Sequence, residues 1–213
     1  MTRHRLLAAA AVVAGWILTP SAAQAHRLDE YLQATRLSID VDRVGLEIDL
    51  TPGVTIARDV FNAIDADGDG WISAAEKEAY AREVLRSIVL SVDGRAAAIV
   101  HAEIGVPEFG ELADGVGTIR VRAAADIPYA GAGHHRLAYA NVHKADTSVY
   151  LVNALVPGDP RIQISAQERD GAQHRLTLDY EVAGGLASAR TWSLLAALMM
   201  AGTLGVTRRR ARV

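Results

Sequence analysis

Between Leu37 and Leu50 nearly every second residue is apolar. Leu37, Ile39 and Val41 alternate with polar neighbours, and after Asp42-Arg43 the alternation resumes at Val44, Leu46, Ile48 and Leu50. A period of two puts these side chains on one face of a strand pair, so this stretch predicts a hairpin with one buried side. The signal recurs along the chain. Leu90 and Val92 lead into Asp93-Gly94, a strong two-residue turn signal. Ile119 and Val121 mark another strand, Leu137 to Val142 and Val149 to Leu155 two more. Ile162 and Ile164 run toward Asp170-Gly171, and Leu176, Leu178 and Tyr180 return from it. Eight or nine short strands with turn chemistry between them predict a mainly β chain, a β-sandwich. Half of the residues are apolar and only 5% are aromatic, so its core must be built from Val, Leu, Ile and Ala.

One stretch breaks the period. Val54 to Ile64 and Ala74 to Ile88 change to helical spacing: Val60 and Ile64 share a face, as do Tyr80, Val84 and Ile88. A helix-loop-helix is therefore expected over 54–88, inserted in the β domain. Its loop reads IDADGDGWISAAE from Ile64 to Glu76. Counting Asp65 as position 1 puts Asp67 at 3, Asp69 at 5, Gly70 at 6, Trp71 at 7, Ser73 at 9 and Glu76 at 12. This is the EF-hand spacing D-x-D-x-D-G-x5-E.

The chemistry explains the spacing. Ca²⁺ takes six to eight hard oxygen ligands at ~2.3–2.6 Å. Alternate residues of a tightly wound loop point inward, so the carboxylates of Asp65, Asp67 and Asp69 converge. Gly70 permits the positive φ of the bend. Trp71 offers its backbone carbonyl, Ser73 binds directly or through water, and Glu76 closes the site with both oxygens. The same residues support a plainer reading, because Ser73-Ala-Ala-Glu76 is also a capping box for the helix that begins at Ala74. Ile72, at position 8, is the short-strand residue through which such loops pair. Only one loop of this kind occurs, so it either packs against the β domain or pairs across a dimer. A lone exported site predicts weak affinity, ~10⁻⁴–10⁻³ M, with Mg²⁺ a poor competitor.

Both ends of the chain are apolar. MTRHR, the apolar run Leu6 to Leu18 and Ala23-Gln24-Ala25 together read as a signal peptide over 1–25, which makes His26 the mature N-terminus. Thr191 to Thr207 carries no charge and precedes RRRAR. At ~1.5 Å per residue it reaches ~25 Å, close to a hydrocarbon core. It is expected to be a single transmembrane helix after a linker over 183–190, with the basic tail 208–213 cytoplasmic. The tethered domain then faces the periplasm. Without the six arginines of the two ends, 16 basic residues face 25 acidic ones, −9 over residues 26–207. Such a domain is a poor partner for nucleic acid and a plausible host for cations. No cysteine is present, which excludes disulfides, thiolate metal sites and thiol catalysis.

His26 suggests a second reading. A free amine with its own imidazole chelates Cu or Ni, and His134, His135, His143 and His174 offer further nitrogens. For catalysis there is no G-x-S-x-G, no H-E-x-x-H and no phosphate loop.

The segments AHRLDEYLQATRLSID, EIDLTPGV, the acidic loop, AEKEAYAREVL, VDGR and HHRLAYAN resemble an exported domain of bacterial membrane proteins, from about Ala25 to Val182. In that group the domain precedes a multi-span region of the HupE/UreJ or nickel/cobalt transporter type, whereas this chain has one short apolar segment. The resemblance implies a membrane-protein partner; the competing reading, a periplasmic accessory protein for nickel, cobalt or copper handling, rests on His26 and the other histidines. The Gly184-Gly185 pair, the apolar run and the arginines are also similar to a sorting tail cleaved after membrane insertion. The reading from the residues is a non-enzymatic, calcium-binding exported domain, residues 26–182.

Overall fold

The computed structural model describes residues 28–184. The signal peptide, His26, the segment 191–207 and the basic tail lie outside the described residues, as does most of the linker. Among the described residues no helix is long and apolar enough to cross a membrane.

The chain is mainly β, with two five-stranded sheets. The first contains β1 (Tyr31–Ile39), β2 (Arg43–Pro52), β5 (Ile99–Gly105), β6 (Ile119–Asp126) and β8 (Ser148–Ala154), in the order β5-β6-β2-β1-β8. Its pairings are antiparallel except β1 with β8, which run parallel. The second contains β3 (Ile88–Val92), β4 (Arg95–Ala96), β7 (Gly133–Asn141), β9 (Ile162–Arg169) and β10 (Arg175–Val182), all antiparallel in the order β4-β3-β7-β10-β9. Two helices, α1 (Ala57–Ile64) and α2 (Ala74–Arg86), lie between β2 and β3, and a short α3 (Phe109–Ala113) lies between β5 and β6.

Alternation governs what is buried. Leu37 and Ile39 of β1, Val44, Leu46, Ile48 and Leu50 of β2, and Ile119 and Val121 of β6 face one core. They meet there Leu90 and Val92 of β3, Leu137 of β7, and Leu176, Leu178 and Tyr180 of β10. The outward face of the first sheet is polar and charge-matched: Arg36 bridges Glu47 and Asp49, and Arg120 reaches Asp49 at 3.1 Å.

Several boundaries differ from the pattern reading. The hairpin between β1 and β2 pairs Ile39 with Val44 and turns on Val41-Asp42, so Arg43 is already strand. Val41 is tucked into the core instead of extending β1. Helix α2 stops at Arg86, with Ser87 as its C-cap. Ile88 opens β3 opposite Asn141 and does not continue the face of Tyr80 and Val84. Strand pairing outcompetes helical spacing there. Asp93-Gly94 forms the expected turn, with φ of 51° and 75° at its two central residues.

Candidate metal centre

The loop between α1 and α2 is wound around its own carboxylates. Helix α1 buries Ala57, Val60, Phe61 and Ile64, and Asp65 is its C-cap. Phe61 meets Phe109 of α3 edge-on, with ring centroids 5.0 Å apart, and the Arg58 guanidinium lies 4.5 Å above the Phe109 ring. These contacts fix the end of α1 and therefore the direction in which Asp65 leaves it. Asp65 is the one loop carboxylate that is buried, at 8% exposure. Its Oδ1 accepts from the Gly68 N–H at 2.9 Å and its Oδ2 from the Gly70 N–H at 3.0 Å. Asp67 Oδ1 accepts from the Asp69 N–H at 3.2 Å, and Asp69 Oδ1 from the Trp71 N–H at 2.8 Å. Each aspartate thus folds the backbone two to five residues ahead of it. Gly68 and Gly70 take φ of 72° and 86°, the left-handed conformation that glycine adopts without strain.

Glu76 closes the loop from the far side. Its Oε1 accepts from the Ala66 N–H at 2.7 Å, which ties the two ends of the loop in one hydrogen bond. Its Oε2 accepts from the N–H and hydroxyl of Ser73 at 2.9 and 2.8 Å. The Ser73 Oγ in turn accepts from the Glu76 N–H at 3.3 Å, completing a capping box at the start of α2. These donors, the Ser73 N–H foremost and then its hydroxyl, hold the Glu76 carboxyl below the usual glutamate range and keep it ionised. The capping box and the acidic spacing are therefore not rivals: both converge on one carboxylate.

Asp65, Asp67 and Glu76 each present an oxygen within 4.8 Å of the other two. Oxygens bound to a single Ca²⁺ at ~2.3–2.6 Å can stand at most ~5 Å apart. The three groups therefore fit one such ion, and their hardness fits it too. Asp69 falls outside this group and is exposed, with its carboxylate turned toward the Trp71 N–H. Ser73 turns its hydroxyl to Glu76. The Trp71 side chain is 71% exposed, in keeping with a backbone-only role at position 7. Ile72 is half-buried and packs against the domain core. A cleft lined by Arg58, Phe61, Asn62, Asp65, Gly68, Gly70 and Phe109 adjoins the loop on the Asp65 side.

Among the described residues the histidines form no group of three that could share an ion. His135 is held by Asp93, Nδ1 to Oδ2 at 2.7 Å, and stacks on Tyr180. His174 pairs with Asp170 at 2.8 Å, and His143 is buried between Tyr31 and Tyr80. Among the described residues the acidic trio is the only group of three or more carboxylate or imidazole ligands close enough to share an ion. His26 lies outside them.

Pattern reading passed over a buried polar cluster beside α2. The Tyr31 and Tyr80 hydroxyls share a hydrogen bond at 2.7 Å, and the Tyr80 hydroxyl lies 3.4 Å from His143 Nε2. Gln33 Nε2 donates to the His143 carbonyl at 2.7 Å and accepts through Oε1 from Asn141 Nδ2 at 2.9 Å. Tyr150 and Ser148 also donate to the His143 carbonyl. The signal was present in the alternation of β1, which extends back from Leu37 through Thr35 and Gln33 to Tyr31 and puts these polar side chains on the inner face.

No protein-family model matches the chain, and no curated protein is significantly similar to it.

Proposed function

We propose that this protein binds Ca²⁺ through one EF-hand, with Asp65, Asp67 and Glu76 as the core ligands and Asp69, the Trp71 carbonyl and Ser73 completing the shell. The observation that carries the reading is the meeting of three carboxylate oxygens within 4.8 Å, on a loop whose aspartate and glycine spacing is that of a calcium loop. The bound ion supplies charge neutralisation and a fixed loop conformation. The role is non-enzymatic: a cation-dependent module on a β-sandwich, in which the EF-hand is an insert between two strands. In this reading residues 1–25 direct export and 191–207 form a single C-terminal transmembrane helix. The domain then faces the periplasm from the inner membrane, beside a membrane-protein partner of the HupE/UreJ or nickel/cobalt transporter kind.

Isothermal titration with Ca²⁺ of the parent, Asp65→Ala and Glu76→Gln tests the site. Saturable uptake by the parent, lost in both variants, supports it. Equal uptake by all three would sink it.

A further inference from the structure

We propose that Tyr80 is a positioning residue for the cation site: its hydrogen bond to Tyr31 fixes α2 in the setting from which Glu76 reaches the loop. The proposal rests on the reading of the loop as a Ca²⁺ site and assigns a part of that site lying outside the twelve loop residues.

Glu76 and Tyr80 are four residues apart on α2, so they lie on one side of the helix, one turn from each other. Helix α2 buries only Tyr80, Ala81 and Val84. Ala81 and Val84, with the partly buried Leu85, hold the helix on the domain through apolar packing. A hydrogen bond is directional. Tyr80 is the only polar side chain among the three, and its hydroxyl meets that of Tyr31 at 2.7 Å. Tyr31 is fully buried at the start of β1, which pairs on both sides, with β2 and β8. The anchor is therefore set in the sheet.

A third side is closed by His143, whose ring stands edge-on to Tyr80 at 5.8 Å and tilted to Tyr31 at 6.2 Å. Its carbonyl takes hydrogen bonds from Gln33, Ser148 and Tyr150, so the wall behind Tyr80 is held in place. Burial keeps both tyrosine hydroxyls protonated and able to bond.

A helix fixed in this way presents Glu76 to Asp65 and Asp67 before the ion arrives. Loss of the anchor leaves α2 held by packing without its directional bond to the sheet, so its setting is less sharply defined before the ion arrives. Preorganisation of this kind is felt as affinity.

The experiment compares three full-length proteins, each purified in detergent, by isothermal titration with CaCl₂ at neutral pH: the parent, Tyr80→Phe and Tyr139→Phe. Tyr139 supplies the matched control. It is equally buried, and its hydroxyl bonds Thr35 at 2.9 Å across the two sheets and reaches the Asn141 side chain, not the Tyr31–Tyr80 bond itself. Tyr80→Phe is expected to raise Kd about three- to tenfold, the effect of about one hydrogen bond. Tyr139→Phe should lower the melting temperature comparably and leave Kd within about twofold. An unchanged Kd in Tyr80→Phe, or an equal rise in both variants, would overturn the proposal. A parent that takes up no Ca²⁺ overturns the reading of the loop itself, and the proposal with it. A measurement on the parent covers the case in which Tyr80→Phe does not fold. The His143 ring resonances should shift on Ca²⁺ addition with the midpoint of the titration, and should not shift in Glu76→Gln. A ring that ignores the ion overturns the coupling.

Discussion

Ser73 and Glu76 hold each other: Glu76 Oε2 accepts from the Ser73 N–H at 2.9 Å, and Ser73 Oγ accepts from the Glu76 N–H at 3.3 Å. One carboxylate thus caps a helix and closes an acidic loop, and two substitutions separate the roles. Glutamine at position 76 can still accept from Ser73, because either Glu or Gln completes a capping box. It lacks the charge and the second ligating oxygen. Glu76→Gln should therefore keep the capping box, give up the Oε1 contact with the Ala66 N–H and lose the response to Ca²⁺. Glu76→Ala should lose the capping box as well, so that the start of α2 weakens before any ion is added. Thermal scans with and without Ca²⁺ check this, and a Glu76→Gln protein that still responds fully to the ion would contradict it.

Gly70 tests the bend. Its φ of 86° is costly for any residue with a Cβ, although nothing stands within 4 Å of where that Cβ would sit. The effect of Gly70→Ala is therefore conformational and not a clash, about 1–2 kcal/mol. Its N–H also serves Asp65 Oδ2, so a shifted backbone releases that ligand. The expected outcome is weaker Ca²⁺ binding with intact strand content, read by titration and circular dichroism. Parent-like affinity would show that the left-handed turn is dispensable.

What was legible in the sequence follows from what has a period. The strands of the core announced themselves because each has one buried face, and the two sheets follow from that. The loop was legible because an ion's coordination imposes fixed spacing, and the three carboxylates that meet are three of those the spacing named. Strand β5 and the helix α3 were not read. IVHAEIG and FGELA are too short or too mixed to show a period, and their places come from pairing with β6 and from Phe109 packing on Phe61. The Tyr31–Tyr80–His143 cluster was hidden for another reason. Its members lie 49 and 63 residues apart and meet only once the sheet has formed.

The two well-placed histidines should titrate on opposite sides of the ordinary value, ~6.5. Burial, reinforced by Lys144, pushes the His143 ring down to about 4. Tyr31, Tyr80 and Tyr150 also face it, and Glu83 reaches Lys144 at 3.8 Å. Between about 4 and 6.5 the unfolded chain binds a proton there that the folded chain refuses. The contribution of His143 is thus whole above pH ~6.5 and falls as the pH drops toward 4, by about 3 kcal/mol at most. His135 has the reverse sign. The Asp93 carboxylate and the Gly131 carbonyl raise its value, so its contribution is whole below pH ~6.5 and is lost as the pH rises through the folded value. Histidine ring titration by NMR should give one value below and one above the ordinary range. Urea midpoints of His143→Gln should vary less than the parent's between pH 6.5 and 4.5. Values that coincide would mean that neither environment acts as described.

The last prediction couples the ion to the fold. Asp65, Asp67, Asp69 and Glu76 place four negative charges in one loop, and only Asp65 is buried. A cation that binds the folded loop stabilises it by RT ln(1 + [L]/Kd), ~2.7 kcal/mol at a hundredfold excess over Kd. The gain should stay local. Strand residues carry most of the shared core, Leu46, Ile48, Val121, Leu137 and Leu178 among them, and none of these belongs to the loop. Trp71 reports the event, since its backbone N–H is held by Asp69 while its ring stands in solvent. Ca²⁺ should change the tryptophan emission and raise the melting temperature, and excess chelator should reverse both. In Trp71→Phe the emission change should vanish while the thermal shift persists, which separates the reporter from the site. Strand signal by circular dichroism should hardly move throughout. Loss of most of it on chelation would mean that the ion holds both sheets together through the residues the two helices share with the core.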